Sequence, residues 1–176
     1  LTYHPAAQAL HWITAVAVIG MLGVGLWMTG LPLGFTKLYA YNWHKWVGLA
    51  VLVLTLGRLL WRWRHPPPPL PGTIVHWQAV LAPIAHWSLL ALLLAMPISG
   101  WFMSSAAGVS VIWFGVLPLP DLVPRDQALF EALRTAHYVL SRLLIAVLIL
   151  HVAAVVHHDV LRRDGVFRRM WPFGGS

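Results

Sequence analysis

The stretch QALFEALRTAHYVLSRLLIAVLILHVAAVVHHDVL, from Gln127 to Leu161, decides the fold. It is well beyond the roughly 20 residues a helix needs to cross the hydrocarbon, and Arg142 is the only charge within its apolar body. Asp126 precedes it, where negative charge favours a helix N-terminus, and Arg162 and Arg163 follow, where positive charge favours the C-terminus. Inside it stand His137 and His151, 14 residues apart. That spacing is about 21 Å along the axis and four turns less roughly 40°, a lag that left-handed supercoiling largely removes. Both rings therefore face one side, one near each leaflet.

Outward from this stretch the chain keeps the same character. Of its 176 residues 59% are hydrophobic and 10% charged, and the mean hydropathy is +0.72, which excludes an ordinary soluble domain with about a quarter charged residues. A net charge of +7 would suggest nucleic acid in a soluble protein, but here the basic residues flank apolar stretches. No charged residue precedes Lys37, and the run from about Ala7 to Gly30 reads as a first span. It is too long for a signal-peptide core and lacks a basic leader, so it is expected to remain as structure. A second span runs from about Trp43 to Trp63. The stems of Arg58, Arg62 and Arg64 at its inner end reach the headgroups, and Pro66 to Pro69 stop it.

A third span covers about Trp77 to Met103, with a bend expected near Pro97. The following loop, with Pro118, Pro120, Pro124, Trp113 and Phe114, is expected to lie on the membrane face. The fold class is thus an all-α membrane protein. It is a four-transmembrane-helix bundle in one domain over 1–176, with spans at about 7–30, 43–63, 77–103 and 127–161. Arg58, Arg62, Arg64, Arg162, Arg163, Arg168 and Arg169 lie at one face against Lys37, Lys45, Arg125 and Arg134 at the other, which predicts that both termini are cytoplasmic.

With no cysteine, disulfides, thiolate metal sites, iron–sulfur clusters and c-type haem attachment are excluded, and ten histidines remain. His11 lies near the cytoplasmic start of span one and His44 near the outer start of span two, so each meets one histidine of span four at matching depth. A planar iron porphyrin requires two imidazoles approaching from opposite faces, so two stacked pairs imply two b-type haems. By depth His86, about nine residues into span three, partners His151 as well as His11 does, and depth alone leaves that choice open. Any one of these histidines also suits a packed residue bonded to a neighbouring helix. A histidine-lined zinc or proton pathway is a further alternative, but it would want carboxylates at the same depth, and none occurs between residues 1 and 120.

Arg58, 14 residues after His44 and on its face, is a candidate to pair with a haem propionate. Arg142, five residues after His137, is a second candidate or a buried polar contact. Gly20, Gly23 and Gly48 would let a broad macrocycle approach the backbone, and equally suit plain helix packing.

The segments Leu10-His11-Trp12, Asn42-Trp43-His44-Lys45-Trp46-Val47-Gly48, Met96-Pro97-Ile98-Ser99-Gly100, and His137 followed by His151-Val152-Ala153-Ala154 resemble the bacterial cytochrome b561 family. The likeness covers nearly the whole chain, including His158, Arg163-Asp164-Gly165 and Arg168-Arg169-Met170, and the length is similar to that of the family's superoxide oxidase members. The resemblance implies that His44 and His137 are axial ligands of an outer haem iron and His11 and His151 of an inner one, which selects His11 over His86. It also implies quinone chemistry beside the inner haem, where His86 and His158 are candidates to bind ubiquinone and relay its protons. Both equally suit interfacial polar residues. His157 receives no role, and His4, His65 and His76 are expected at the solvated membrane edge.

The activity so implied is electron transfer across a bacterial inner membrane, with superoxide as donor and ubiquinone as acceptor. Two histidine ligands per iron favour outer-sphere transfer over oxygen binding. Lys37, Lys45, Arg125 and Arg134 would steer the anion. The second expectation is a cytochrome b relay subunit of a larger quinone-linked dehydrogenase or hydrogenase complex, fed by a protein redox partner. Neither reading involves nucleic acid.

Overall fold

The computed structural model describes residues 2–69 and 74–172. Within them run four long helices, α1 (Pro5–Thr29), α2 (Phe35–Arg64), α3 (His76–Ala106) and α4 (Gln127–Val156). The first three, and α4 extended to Arg162, are each long and apolar enough to cross a membrane. α1 packs on α2, α2 on α3 and α3 on α4. Most large apolar side chains, such as Ile13, Val53, Ile84 and Ile149, face outward, as they do where lipid is the solvent.

Local chemistry fixes the ends. His4 Nδ1 accepts from the Ala6 amide, and Pro5, with no N–H to leave orphaned, begins α1. Asp126 Oδ1 accepts from the Leu129 amide at 3.0 Å, the cap that its position before α4 predicts. α3 runs on through Pro83 and Pro97, each of which removes one backbone donor. Buried hydroxyls are satisfied within their own helices: Thr14 Oγ1 donates to the Leu10 carbonyl and Thr55 Oγ1 to that of Val51.

The core is one thin layer, with Val18, Val51, Leu93 and Leu144 contributed by one helix each. Every one of them lies seven residues from a histidine of its own helix: Val18 from His11, Val51 from His44, Leu93 from His86, and Leu144 from both His137 and His151. Seven residues bring a helix back to nearly the same face, so the same stripe that carries the histidines carries the apolar layer.

Three local features depart from the expectation. α2 begins at Phe35, not near Trp43, because the polar residues Lys37 and Asn42 lower hydropathy without breaking a helix. His44 therefore lies about 13 Å into its helix. The loop after α3, read from sequence as a segment on the membrane face without secondary structure of its own, folds into a hairpin of β1 (Ile112–Trp113) and β2 (Leu117–Pro118). Its turn places two successive residues in the left-handed region, Phe114 at φ 49° and Gly115 at φ 73°, of which only the glycine adopts it freely. Trp46 Nε1 donates to the Ile112 carbonyl and Trp113 Nε1 to that of Trp46, so the hairpin is bonded to α2.

The last departure is at the end of α4, where a π-helical turn, His157–Arg162, replaces the α-helix expected to Leu161. Arg163 (φ 51°) and Gly165 (φ 75°) then reverse the chain into α5 (Val166–Met170). This tail docks on α1: the Tyr3 amide and Gln8 Nε2 donate to the Arg169 carbonyl, and Trp12 Nε1 to that of Met170. Trp12 also meets Phe167 and Trp171 edge-on. One end of the bundle thus carries the hairpin and the other both termini.

Candidate functional site

The seven-residue stripes stack three layers along the bundle, about 10 Å apart. At the hairpin end the layer is Gly25, His44, Gly100 and His137; in the middle it is Val18, Val51, Leu93 and Leu144; at the termini end it is His11, Arg58, His86 and His151.

In the hairpin-end layer the His44 and His137 ring centroids are 6.4 Å apart, with planes at 73°. The glycines make room for them. A Cβ on Gly25 would lie 3.1 Å from His44 Cε1, and one on Gly100 would lie 3.4 Å from His137 Cε1. Ser99 Oγ lies 2.9 Å from His137 Nδ1. His44 Nδ1 is buried with no hydrogen-bond partner among the described residues, a state that costs about 1–3 kcal/mol unless another bond replaces it. Beside His44 a groove of about 370 Å³ opens between α1 and α2, lined by Ala17, Gly20, Met21 and Trp43 among others.

The termini-end layer is crowded with polar groups. His11 and His151 have ring centroids 6.4 Å apart, and His86 approaches His151 more closely, at 5.5 Å and 67°. Arg58 donates to His11 Nδ1 at 3.2 Å. Next to this layer Arg62 lies over the Trp87 ring, 4.8 Å from its centroid, joining α2 to α3.

His158 is buried at the π turn. Its Nδ1 is 2.5 Å from Asp164 Oδ2, while Asp164 Oδ1 accepts from the Val166 amide. The carboxylate thus holds the imidazole with Nδ1 as donor. His157 meets the His158 ring edge-on at 5.7 Å. His4, His65 and His76 are exposed, and His65 stacks on Trp61 at 4.1 Å.

Arg142 is exposed and lies over the Tyr138 ring at 4.8 Å. Five residues turn it about 140° from His137, so the two do not share a face. Of the glycines singled out for an approaching ring, Gly20 and Gly23 have open space at their Cβ positions, whereas Gly48 packs on Met21 Cε at 3.6 Å and serves helix packing. Gly25 is a residue that sequence reading passed over, and Ser99, Gly100 and Asp164 entered it only within quoted segments, without a role. For the two glycines the signal was present, since they stand seven residues beyond Val18 and Leu93.

The residues fit haem. Imidazoles on opposite sides of one metal, at about 2 Å from metal to nitrogen and with a ring radius of about 1.1 Å, have centroids roughly 6 Å apart. Both pairs match that separation. Among the described residues no group of three or more His, Asp or Glu side chains converges as a bare ion would need. Two facing imidazoles suit an iron whose other positions a porphyrin fills.

Comparison with known proteins agrees. The sequence model of prokaryotic cytochrome b561 matches residues 2–173. The chain is similar to Cytochrome b561 homolog 2 of Escherichia coli K12, at 29% identity over 96% of this chain and 90% of that protein. It is also similar to the Probable superoxide oxidase CybB of Yersinia pestis, at 31% identity over 93% and 92%. Cytochrome b561 homolog 1 of Escherichia coli K12 is 27% identical over 93% of each chain. Four apolar crossings, facing imidazoles and this match along almost its full length make the chain a multi-pass bacterial membrane electron carrier that binds b-type haem, a member of the prokaryotic cytochrome b561 family.

Proposed function

We propose that this chain takes electrons from superoxide at the hairpin end of the bundle and delivers them to ubiquinone near the termini end, with His44 and His137 holding one haem b and His11 and His151 a second. One observation carries the reading: two facing imidazole pairs lie 14 residues apart on α4, with an apolar layer between them. Haem b, when bound, supplies a one-electron centre at each layer, and two histidine ligands favour electron transfer over oxygen binding. Two superoxide anions each lose one electron and leave as dioxygen, and ubiquinone gains those two electrons and two protons to become ubiquinol. The similarity to the Yersinia pestis protein supports superoxide as the donor.

The excess of arginine at the termini end supports a cytoplasmic location for both termini, and the hairpin end then faces outward. There Lys45 adjoins His44, Lys37 Nζ donates to the Leu31 carbonyl, and Arg134 pairs with Glu131 at 2.6 Å, so Lys45 and Arg125 are the cations best placed to attract an anion. At the termini end, His11 can bind iron through Nε2 only with its proton on Nδ1. With His11 so protonated, Arg58 could no longer donate to that nitrogen and would be available to hold a propionate. Arg142, on the outer side of α4, is the weaker propionate candidate.

Under this reading His86 and His158 are the proton-handling groups for the quinone. Asp164 fixes His158 with Nδ1 as donor, which leaves Nε2 as the ring nitrogen open to proton exchange.

The test is a pulse of superoxide given to the purified holoprotein with ubiquinone present. Rapid haem reduction followed by ubiquinol is expected; no reduction by superoxide, with rapid reduction by a co-purifying protein, overturns the donor and favours the relay-subunit reading. His158→Ala and Asp164→Asn should slow ubiquinol formation roughly tenfold or more, within the range of general acid–base contributions, while haem reduction keeps its rate.

A further inference from the structure

Ser99 stands on α3 beside Gly100 and reaches His137 on α4. Its Oγ is 2.8 Å from the Met96 carbonyl oxygen and 2.9 Å from His137 Nδ1. A serine hydroxyl has one proton and two lone pairs, and a carbonyl can only accept. The proton therefore goes to Met96, a lone pair faces His137, and His137 Nδ1 must carry hydrogen and donate. In a neutral imidazole that leaves Nε2 unprotonated and able to bind a metal. Gly100 adjoins the same ring, where a Cβ would stand in ordinary contact, 3.4 Å from His137 Cε1 and 3.7 Å from Nδ1.

We propose that Ser99 is a positioning residue that holds His137 with Nδ1 protonated and Nε2 presented to iron, and so tunes the reduction potential of the hairpin-end haem. The inference rests on the ligand role proposed for His137. The neighbouring ligands are held differently: His44 Nδ1 has no hydrogen-bond partner among the described residues, and His11 Nδ1 faces a guanidinium that can only donate. A ligand imidazole that donates its second N–H becomes more basic, which favours the oxidised iron. Ser99 therefore lowers the potential of one haem and leaves the other alone.

The test compares Ser99→Ala and Ser99→Thr in the purified holoprotein by redox titration, low-spin ferric EPR and haem retention against a scavenger. Ser99→Ala should raise one midpoint potential, shift one set of EPR g-values and weaken retention of that haem roughly ten- to hundredfold. Ser99→Thr keeps the hydroxyl and its bond to the preceding turn, and should match the parent protein. Unchanged potentials and g-values in Ser99→Ala, equal changes at both haems, or a Ser99→Thr that behaves like Ser99→Ala would each overturn the proposal. Should Ser99→Ala fail to assemble, Ser99→Cys, a weak acceptor, must give a smaller shift of the same sign, and no shift counts against the proposal. Failure of the underlying ligand reading looks different: both haems would then survive His137→Ala.

Discussion

The two ends of the bundle are built on one register and filled in opposite ways. At the hairpin end, two helices give glycine so that two others can give histidine. At the termini end, all four helices give a polar side chain, and three imidazoles and a guanidinium share one layer. The first layer holds its rings by shape and one hydroxyl; the second holds them among groups that carry charge and protons. Under the proposed function this contrast is a division of labour, with electron entry at the glycine end and the proton-consuming step at the polar end.

The sharpest way to break this comparison is to remove one ligand from each end. His137→Ala should cost the hairpin-end haem and His151→Ala the termini-end haem, so a pyridine haemochrome assay should fall from about two haem b per chain to about one, each variant keeping a different midpoint potential. Loss of both haems in either variant would mean that the ends are not independent. Next in size is the choice left by three imidazoles in one layer. His11→Ala should lose a haem, whereas His86→Ala should keep both and slow ubiquinol formation; the reverse would move the ligand to His86, which lies closer to His151.

The middle layer should matter to both ends alike. Leu144→Ala opens a cavity between four helices and should destabilise the protein by about 2–5 kcal/mol, seen as a lower Tm with both haem spectra equally affected. Smallest are the glycine substitutions, which rank by space. Gly25→Ala should disturb the hairpin-end haem spectrum most, because its Cβ comes within 3.1 Å of His44, and Gly100→Ala less, at 3.4 Å. Gly57→Ala, with nothing within 4 Å, should leave both haems unchanged and stabilise the helix by up to about 1 kcal/mol. If Gly57→Ala disturbs a haem as much as Gly25→Ala does, the glycine end is not a fitted seat.

Sequence alone determined the membrane class, the number of long apolar helices, the place of Asp126 at the start of α4 and the meeting of His44 with His137; beside His151 it left His11 and His86 open, and both rings lie there. These follow from hydropathy, helix rise and a spacing of 14 residues, which act along a single helix and are visible in one dimension. Only the tertiary structure decided that Gly25 and Gly100 face the rings, that Ser99 bonds His137 and that Asp164 turns back to His158. Those contacts depend on how neighbouring helices are rotated and on a chain reversal through left-handed Arg163 and Gly165. Rotation and reversal are set by packing between segments distant in the chain. Spacing puts Gly25 and Gly100 on the histidine-bearing stripes, but which ring each one meets is set by the neighbouring helix.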